Sequence, residues 1–187
     1  MIKFDVVIAD PPWRFDDKLA MSSVARGAEA NYGTMAVAEI TRLAVPTADD
    51  SFLALWVPSS LLEDGLTVMR AWGFTLKGTF VWVKTTKDGD GLAFGMGHTF
   101  RQCHEVALLG TKGRIVSTIE NKSQRSVLWH PSTNHSVKPD GLHESLEKMW
   151  PDANRLELFA RRKRDGWLCL GNEVTGNDIR LDLALLY

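Results

Sequence analysis

Residues 10–13 of the chain read Asp-Pro-Pro-Trp, a combination suited to binding a planar amine. The Asp10 carboxylate accepts hydrogen bonds, and the two prolines have no N–H group, so we expect their carbonyl oxygens to face outward without a local donor. The indole of Trp13 adds a flat aromatic wall. The matching ligand is a planar ring with an exocyclic amino group, which describes adenine and also cytosine. The alternative is a turn that merely ends a strand, with Trp13 in the core.

Three further polar clusters follow apolar, strand-like runs of the chain. They are Ser59-Ser60 after residues 52–57, Lys84 at the end of residues 79–84, and Gly171-Asn172-Glu173 after the last run. In open α/β sheets, ligands bind outside the carboxyl ends of the strands. The convergence of these clusters on one edge of a sheet therefore predicts an enzyme.

The apolar patterns predict the elements that position these clusters. The strand-like runs are residues 4–9, 52–57, 79–84, 104–111, 155–160 and 166–171. Helical spacing predicts helices over residues 35–44, from Ser59 or Ser60 to Gly73, and after Pro139. Residues 14–33, 85–102 and 112–138 are expected to be loops. Because strands alternate with helices, we predict a doubly wound α/β sheet in one domain, residues 1–187.

Composition and charge narrow the class of protein. The chain has 187 residues, of which 44% are hydrophobic and 24% charged, and these values are typical of one globular domain. The net charge of −1 excludes nucleic-acid binding through overall charge alone. Local basic stretches are the candidates for nucleic-acid binding instead. Residues 112–138 are one such stretch. Residues 161–164 could bind phosphate or could equally be a solvated turn. No leader or membrane segment is recognised, so we expect a cytosolic protein.

Neither a metal site nor a disulfide framework is predicted. The two cysteines, Cys103 and Cys169, are too few for either a four-cysteine zinc site or a disulfide scaffold. His98, His104 and Glu105 lie near one another in the sequence but lack the spacing of a helical metal motif.

Taken in order, the motifs resemble the DPPW-type S-adenosylmethionine-dependent N6-adenine methyltransferases, typified by the catalytic subunit of the mRNA adenosine methyltransferase. The similar segments are residues 10–13, 32–35, 52–57, 72–74, 81–85, 97–98, Arg101, His104-Glu105, 135–140, 156–161, 166–167 and 170–173. They keep the family's order from about residue 4 to residue 173. One departure is Arg162-Lys163-Arg164, where larger members have a His-Asn pair.

This resemblance implies a Rossmann-like methyltransferase sheet that is mostly parallel and circularly permuted, with the catalytic motif before the cofactor motif. It implies methyl transfer from S-adenosylmethionine to adenine N6 in nucleic acid, and the small size of the chain favours DNA. RNA, a free adenine nucleotide and a catalytically silent scaffold are the alternatives. A homodimer is left open, and neither a metal nor a membrane is expected to take part.

The resemblance also implies the roles of individual residues. Asp10, Pro11, Pro12 and Trp13 would be catalytic; Asp10 and the Pro11 carbonyl would hold the N6 hydrogens, and Trp13 would stack on the base. The cofactor-binding set is Ile8, Asp10, Ser136, Lys138, Glu157, Phe159, Arg161, Gly171, Asn172 and Glu173. The substrate-binding set is Trp13, Tyr32, Lys84, Arg101, His104 and Glu105. Within the cofactor set, Lys138 would face the methionine carboxylate.

Overall fold

A computed structural model describes residues 2–15, 33–95, 97, 99–132 and 137–187 of the chain. Two of the predicted site residues, Tyr32 and Ser136, lie outside the described residues, and so does His98. Most of the loop predicted at residues 14–33 also lies outside them.

Seven strands form one sheet. They are β1 (Phe4–Ala9), β2 (Thr47–Val57), β3 (Thr75–Thr85), β4 (His104–Lys112), β5 (Val127–Pro131), β6 (Arg155–Leu158) and β7 (Leu168–Leu170). Their order across the sheet is β5-β3-β4-β2-β1-β6-β7. Of the seven, β4 runs antiparallel to its neighbours β2 and β3, and the other pairings are parallel.

The two strands β1 and β2, in the interior of the sheet, have the apolar sequences expected of buried strands. Residues 6–9 of β1 and residues 52–57 of β2 are uninterrupted, buried apolar runs, as expected for strands covered on both faces. The prediction of a loop over residues 112–138 is wrong at β5, which pairs with β3 at the edge of the sheet. Three apolar residues, Val127 to Trp129, are too short a run between basic flanks to be recognised in the sequence.

Helices cover both faces of this sheet. They are α1 (Val37–Thr41), α2 (Leu62–Ala71), α3 (Gly141–Met149), α4 (Asn172–Thr175) and α5 (Ile179–Ala184). One core contains Ile40 of α1, Met69 of α2 and Leu183 of α5, and the other contains Leu142 and Leu146 of α3. The predicted α/β Rossmann-like class with a mostly parallel sheet is therefore confirmed. None of the helices in the described part of the chain is long and apolar enough to cross a membrane.

The segment after Glu173, which the sequence left without a role, contributes to the core. Ile179 and Leu183 pack into it, and the carboxylate of the buried Asp182 accepts hydrogen bonds from Thr175 and Asn177 at 2.7 and 2.9 Å. The segment is therefore an integral part of the domain.

Candidate active site

Asp10 lies at the carboxyl end of β1, at the point where the strand order changes direction. From β1 the chain passes to β2 on one side, and it returns later to β6 on the other side. Such a switch point leaves a crevice above the ends of the two diverging strands. The backbone N–H of Asp10 donates to the Leu158 carbonyl of β6 at 3.4 Å, so the start of the motif is held against that strand.

Four side chains of alternating charge lie in a row beside the carboxyl end of β1, and we call them the four-charge cluster. In order they are Asp10, Lys138, Glu105 and Lys84. The ammonium of Lys138 lies 2.8 Å from Asp10 Oδ2 and 3.1 Å from Glu105 Oε2, and Lys84 contacts the other Glu105 oxygen at 2.5 Å. Glu105 can take part because β4 is antiparallel: its beginning lies beside the carboxyl ends of the neighbouring strands. The cluster thus joins residues predicted for catalysis, cofactor and substrate.

The charges of this cluster stabilise one another despite their burial. Burial by itself lowers the pKa of the Lys138 ammonium, but the carboxylates of Asp10 and Glu105 outweigh this effect, and its pKa lies above the ordinary lysine value. Burial by itself raises the pKa of Glu105, but Lys138 and Lys84 bring it below the ordinary glutamate value. The net shift of each pKa therefore favours the charged form of that side chain at neutral pH.

Beside this cluster lies a cavity. Its walls include six of the residues predicted for cofactor binding: Ile8, Asp10, Lys138, Glu157, Phe159 and Arg161. Phe159 follows β6 with φ at 63°, in the left-handed region that is strained for a residue other than glycine. Strain of this kind persists where the surrounding structure imposes it, and here it occurs in the wall of the cavity.

Gly171 has a structural reason to be glycine. It is buried where β7 passes over residues 159–160, and a Cβ atom there would lie 2.5 Å from the Ala160 carbonyl oxygen. Gly171, Asn172 and Glu173 do not line the cavity, and Glu173 approaches Arg161 at 3.7 Å. Of these three residues, Glu173 is thus next to the cavity wall through Arg161.

The expectation of unopposed proline carbonyls is wrong. The Pro11 oxygen accepts the Trp13 N–H at 2.9 Å, and the Pro12 oxygen accepts the Met35 N–H at 2.8 Å. Trp13 and Met35 form an isolated parallel β-bridge. A carbonyl oxygen has two lone pairs, so the Pro11 oxygen retains the capacity to accept a second hydrogen bond.

Trp13 is a core residue and not an open aromatic wall. Its side chain is 4% exposed, and its indole N–H donates to the Trp56 carbonyl of β2 at 3.0 Å. The stacking face expected from the sequence is therefore covered in this structure. The alternative interpretation of Trp13, as a plug that fixes the turn, describes its position.

The basic run at residues 161–164 is largely neutralised within the chain. Arg164 contacts both oxygens of Glu147, at 2.7 and 3.1 Å, and Asp140 at 2.9 Å; Arg162 also pairs with Asp140. Of the two interpretations of this run, the paired, structural one agrees with these contacts. A phosphate would compete with two carboxylates for the same guanidinium groups.

For two of the predicted substrate residues, Arg101 and His104, the structure shows other surroundings. Arg101 is exposed, with its guanidinium 4.7 Å from the centre of the Phe94 ring, and His104 begins β4. Neither contacts the four-charge cluster in the described part of the chain. Their assignment to substrate binding stays a prediction.

The predicted site sets omit six residues of the cavity wall: Trp56, Val137, Asp140, His143, Arg162 and Arg164. The Lys138 ammonium lies 5.6 Å from the centre of the Trp56 ring, which is close enough for a cation–π contact. Trp56 looked like simple core because it lies inside an apolar run. His143 could have been found, since it occurs between Leu142 and Leu146 on the buried face of α3.

A larger, open cleft of about 620 Å³ lies at the opposite end of the sheet, where β2 and β3 begin. Lys77, Lys112 and Asp49 line it, and none of the predicted site residues does. Its position, away from the carboxyl ends of the parallel strands, separates it from the chemistry described above. Within the described ranges, no group of three or more His, Cys, Asp or Glu side chains could hold a metal ion.

Comparison with known proteins gives the family of this chain. The model of the MT-A70 family matches residues 4–173. The chain belongs to the MT-A70 family. An MT-A70-like N(6)-adenosine-methyltransferase of Arabidopsis thaliana is 34% identical over 177 residues, covering 92% of this chain and 24% of the relative. The human N(6)-adenosine-methyltransferase catalytic subunit METTL3 is 32% identical over 179 residues, covering 93% of this chain and 29% of that protein.

A third relative is matched over much more of its own length. The type II methyltransferase M.MunI of a Mycoplasma species is 30% identical over 196 residues, covering 96% of this chain and 81% of that protein. By contrast, this chain spans about a quarter of the plant and human proteins. The resemblance drawn from the sequence motifs is confirmed at the level of the MT-A70 family.

The cavity of this MT-A70 domain fits the methyl donor chemically. Lys138 supplies a cation for a carboxylate, Glu157 supplies an acceptor for hydroxyl groups, and Ile8 and Phe159 supply apolar surface for an aromatic ring. An ammonium has three N–H donors, and among the described residues those of Lys138 face the two carboxylates of Asp10 and Glu105. One donor is thus left for a ligand.

Proposed function

We infer that this chain transfers a methyl group from S-adenosylmethionine to the N6 amine of adenine in nucleic acid, with DNA as the favoured acceptor. The observation that carries this proposal is the contact between Asp10, at the carboxyl end of β1, and Lys138, in the wall of the adjoining cavity. It joins a hydrogen-bond acceptor for an amine to a cation for the methyl donor. Membership of the MT-A70 family supports the same chemistry.

The residues of the site act mainly by orientation and electrostatics. The N6 lone pair of adenine is delocalised into the ring, which makes the amine a weak nucleophile. Asp10 accepts a hydrogen bond from one N6–H, and the second lone pair of the Pro11 carbonyl oxygen accepts a hydrogen bond from the other. These two hydrogen bonds localise the amine lone pair on N6. When bound, the sulfonium donor supplies an activated methyl group. Lys138 donates a hydrogen bond to Asp10 Oδ2 at 2.8 Å and so holds the carboxylate in place for this contact.

Glu157 and Lys138 are the residues proposed to orient the donor. Lys138 would direct its remaining N–H toward the donor's carboxylate, and Glu157 would accept hydrogen bonds from the donor's polar groups. The pair of carboxylates at Asp10 and Glu105 limits how far the Lys138 ammonium can move, because both anchor it. Holding donor and acceptor in line in this way contributes a large share of the rate of such reactions.

DNA is favoured as the acceptor over RNA and over a free nucleotide. One relative that this chain covers over most of its length is the type II methyltransferase M.MunI. RNA is the second candidate, because the plant and human relatives are named as N(6)-adenosine-methyltransferases. A duplex acceptor requires extrusion of the target base, at a cost of a few kcal/mol, so single-stranded DNA is the easier form to test first.

The experiment is a methyl-transfer assay with tritiated S-adenosylmethionine on single-stranded DNA, duplex DNA, RNA and dAMP, followed by nucleoside analysis. We expect label in N6-methyl-deoxyadenosine, with DNA labelled faster than RNA, and almost none with Asp10→Asn. Label in N6-methyladenosine of RNA alone would correct the acceptor and keep the chemistry. Label on cytosine, or no transfer to any acceptor, would contradict the proposal.

A further inference from the structure

His143 is a buried polar residue that has apolar neighbours on one side and the cavity of the candidate active site on the other. It lies on α3, which begins three residues after Lys138, and it is 6% exposed between the buried Leu142 and Leu146. Its ring also lines the cavity that holds Asp10 and Lys138. A histidine at such a position either fills space or orients a neighbour.

The nearest polar neighbour is Glu157. His143 Nε2 lies 3.1 Å from Glu157 Oε2, which is hydrogen-bond distance, although the two groups are not aligned as in a formed hydrogen bond. Contacts of this kind in ligand-free sites often align only when the ligand binds. The other ring nitrogen, Nδ1, is buried and has no hydrogen-bond partner among the described residues.

The His143 ring is held in place by Trp167, which is itself anchored by a hydrogen bond. Trp167 packs edge-on against it, with ring centres 5.0 Å apart and planes at 70°. The Trp167 indole N–H in turn donates to Glu147 at 2.7 Å, and Arg164 holds the same carboxylate. A side chain supported in this way holds its position with little freedom to rotate.

Glu157 is contacted on one oxygen, and its other oxygen is left for a ligand. It points to the same face of the sheet as His143, because Leu156 and Leu158 on either side of it are buried in the opposite core. In the described part of the chain its polar contacts, from His143 at 3.1 Å and from Cys169 Sγ at 3.8 Å, both go to Oε2. Oε1 is thereby left to the cavity.

We propose that His143 is a positioning residue that holds the Glu157 carboxylate with Oε1 directed at the bound methyl donor. This inference rests on the proposed function, since it assigns the cavity to the donor. His143 acts through Glu157 and touches none of the reacting atoms, so its loss weakens donor binding more than it slows the chemical step.

The test compares two nearly isosteric variants, His143→Gln and His143→Met. Glutamine keeps an N–H donor near the position of Nε2, and methionine fills similar space without one. Calorimetry with S-adenosylhomocysteine measures the dissociation constant, and steady-state assays with S-adenosylmethionine separate KM from kcat. We expect His143→Met to raise the dissociation constant and KM about tenfold with kcat changed less than about threefold, and His143→Gln to stay within about threefold of the unaltered protein.

A double-mutant cycle with Glu157→Gln identifies the route of the effect. Once the carboxylate is gone, His143→Met should change the dissociation constant by less than about twofold. His143→Phe keeps a ring against Trp167 without an N–H and replaces the methionine variant if that one does not fold. Circular dichroism and urea unfolding establish that each variant used is folded.

Three outcomes would overturn the inference. Equal binding by the glutamine and methionine variants would show that His143 only fills space. An undiminished effect of His143→Met in the Glu157→Gln background would show that it does not act through Glu157. Failure of the unaltered protein to bind S-adenosylhomocysteine would remove the proposed function and this inference with it; the first two outcomes leave the proposed function intact.

Discussion

At the scale of single residues, the ammonium of Lys138 connects the two halves of the site. It contacts Asp10 and Glu105 at 2.8 and 3.1 Å, and it faces the indole ring of Trp56. Its side chain is 14% exposed, so little water screens these contacts. Removing one member of such a cluster leaves a buried charge without its partner, which costs more than the cluster as a whole contributes.

Lys138→Met tests this role. We expect it to lower the free energy of unfolding by about 1–3 kcal/mol, because the partly buried carboxylates of Asp10 and Glu105 lose the cation they share, and to weaken S-adenosylhomocysteine binding at least about tenfold. Urea unfolding and calorimetry measure the two effects. Lys148→Met is the control, because Lys148 is exposed on α3. Unchanged cofactor affinity in Lys138→Met would contradict the assignment.

Asp10→Asn tests the acceptor role of the carboxylate. The amide places N–H donors where the N6 hydrogens need an acceptor, so we expect methyl transfer to fall by about 10²-fold or more while the fold is retained. The tritium assay on single-stranded DNA measures the rate. Asp152→Asn, at an exposed position, should behave like the unaltered protein. A variant at Asp10 that keeps most of its turnover would refute the proposed mechanism.

At the scale of elements, the position of Asp10 depends on how the turn after β1 is attached. The Trp13 indole hydrogen-bonds to Trp56 of β2, and the Pro12 carbonyl accepts the Met35 N–H. The turn is thus held by contacts to two later segments of the chain. Proline restricts the backbone of the turn, but these contacts decide where it points.

Trp13→Ala therefore acts first on stability. We expect a loss of about 3–5 kcal/mol in the free energy of unfolding, since a buried indole and its hydrogen bond are removed. Trp129→Ala is the matched control: Trp129 is 64% exposed, so its loss should change stability by no more than about 0.5 kcal/mol. Urea unfolding measures both variants. A fully stable Trp13→Ala protein with weakened base binding would restore the stacking interpretation.

The contact between α2 and the sheet is close at Gly65. A Cβ atom at this position would lie 2.6 Å from Val57 Cγ2 and 3.1 Å from Leu108 Cδ1. We expect Gly65→Ala to destabilise the fold by about 1–3 kcal/mol, although alanine is the better helix former. Gly78→Ala is the control, because no atom lies within 4 Å of its Cβ position. Denaturant midpoints of the two variants should differ, and equal midpoints would show that α2 shifts at little cost.

At the scale of the whole molecule, charge pairs join different segments of the chain. Lys138 pairs with Asp10, 128 positions earlier, and Arg164 pairs with Glu147 on α3. The hydrogen bonds of Arg164 hold the pKa of Glu147 below its ordinary value, and the pKa of Glu105 is lowered in the balance between burial and its two lysines. Stability should therefore depend on pH at both extremes.

In acid, the unfolded chain binds protons at Glu105 and Glu147 before the folded chain does. The contribution of these two carboxylates to the free energy of unfolding is thus expected to be fully present above about pH 4.3, the ordinary glutamate pKa. It is lost as the pH drops through their lower pKa values in the folded chain. Lys138 has a raised pKa, so its contribution is lost as the pH rises through that value, above the ordinary lysine pKa of about 10.4.

Urea unfolding at a series of pH values measures this dependence. A Glu105→Gln, Glu147→Gln double variant should show a shallower decline of stability in acid, because the groups whose pKa differs between the folded and unfolded chains are gone. Glu63→Gln, exposed on α2, should leave the decline unchanged. An equally steep decline in all three proteins would show that these two carboxylates do not govern it.

By itself the sequence determined the fold class, the family and the segments that carry the site, because apolar runs and motif residues are local in the chain. It did not reveal β5, the burial of Trp13, the donors to the proline carbonyls or the place of His143. Those depend on which distant segments pair and pack, and a local pattern carries no record of that. The tertiary structure alone decided that Glu105, at the beginning of an antiparallel strand, meets Lys138 and Asp10, since strand direction is set by the sheet around it.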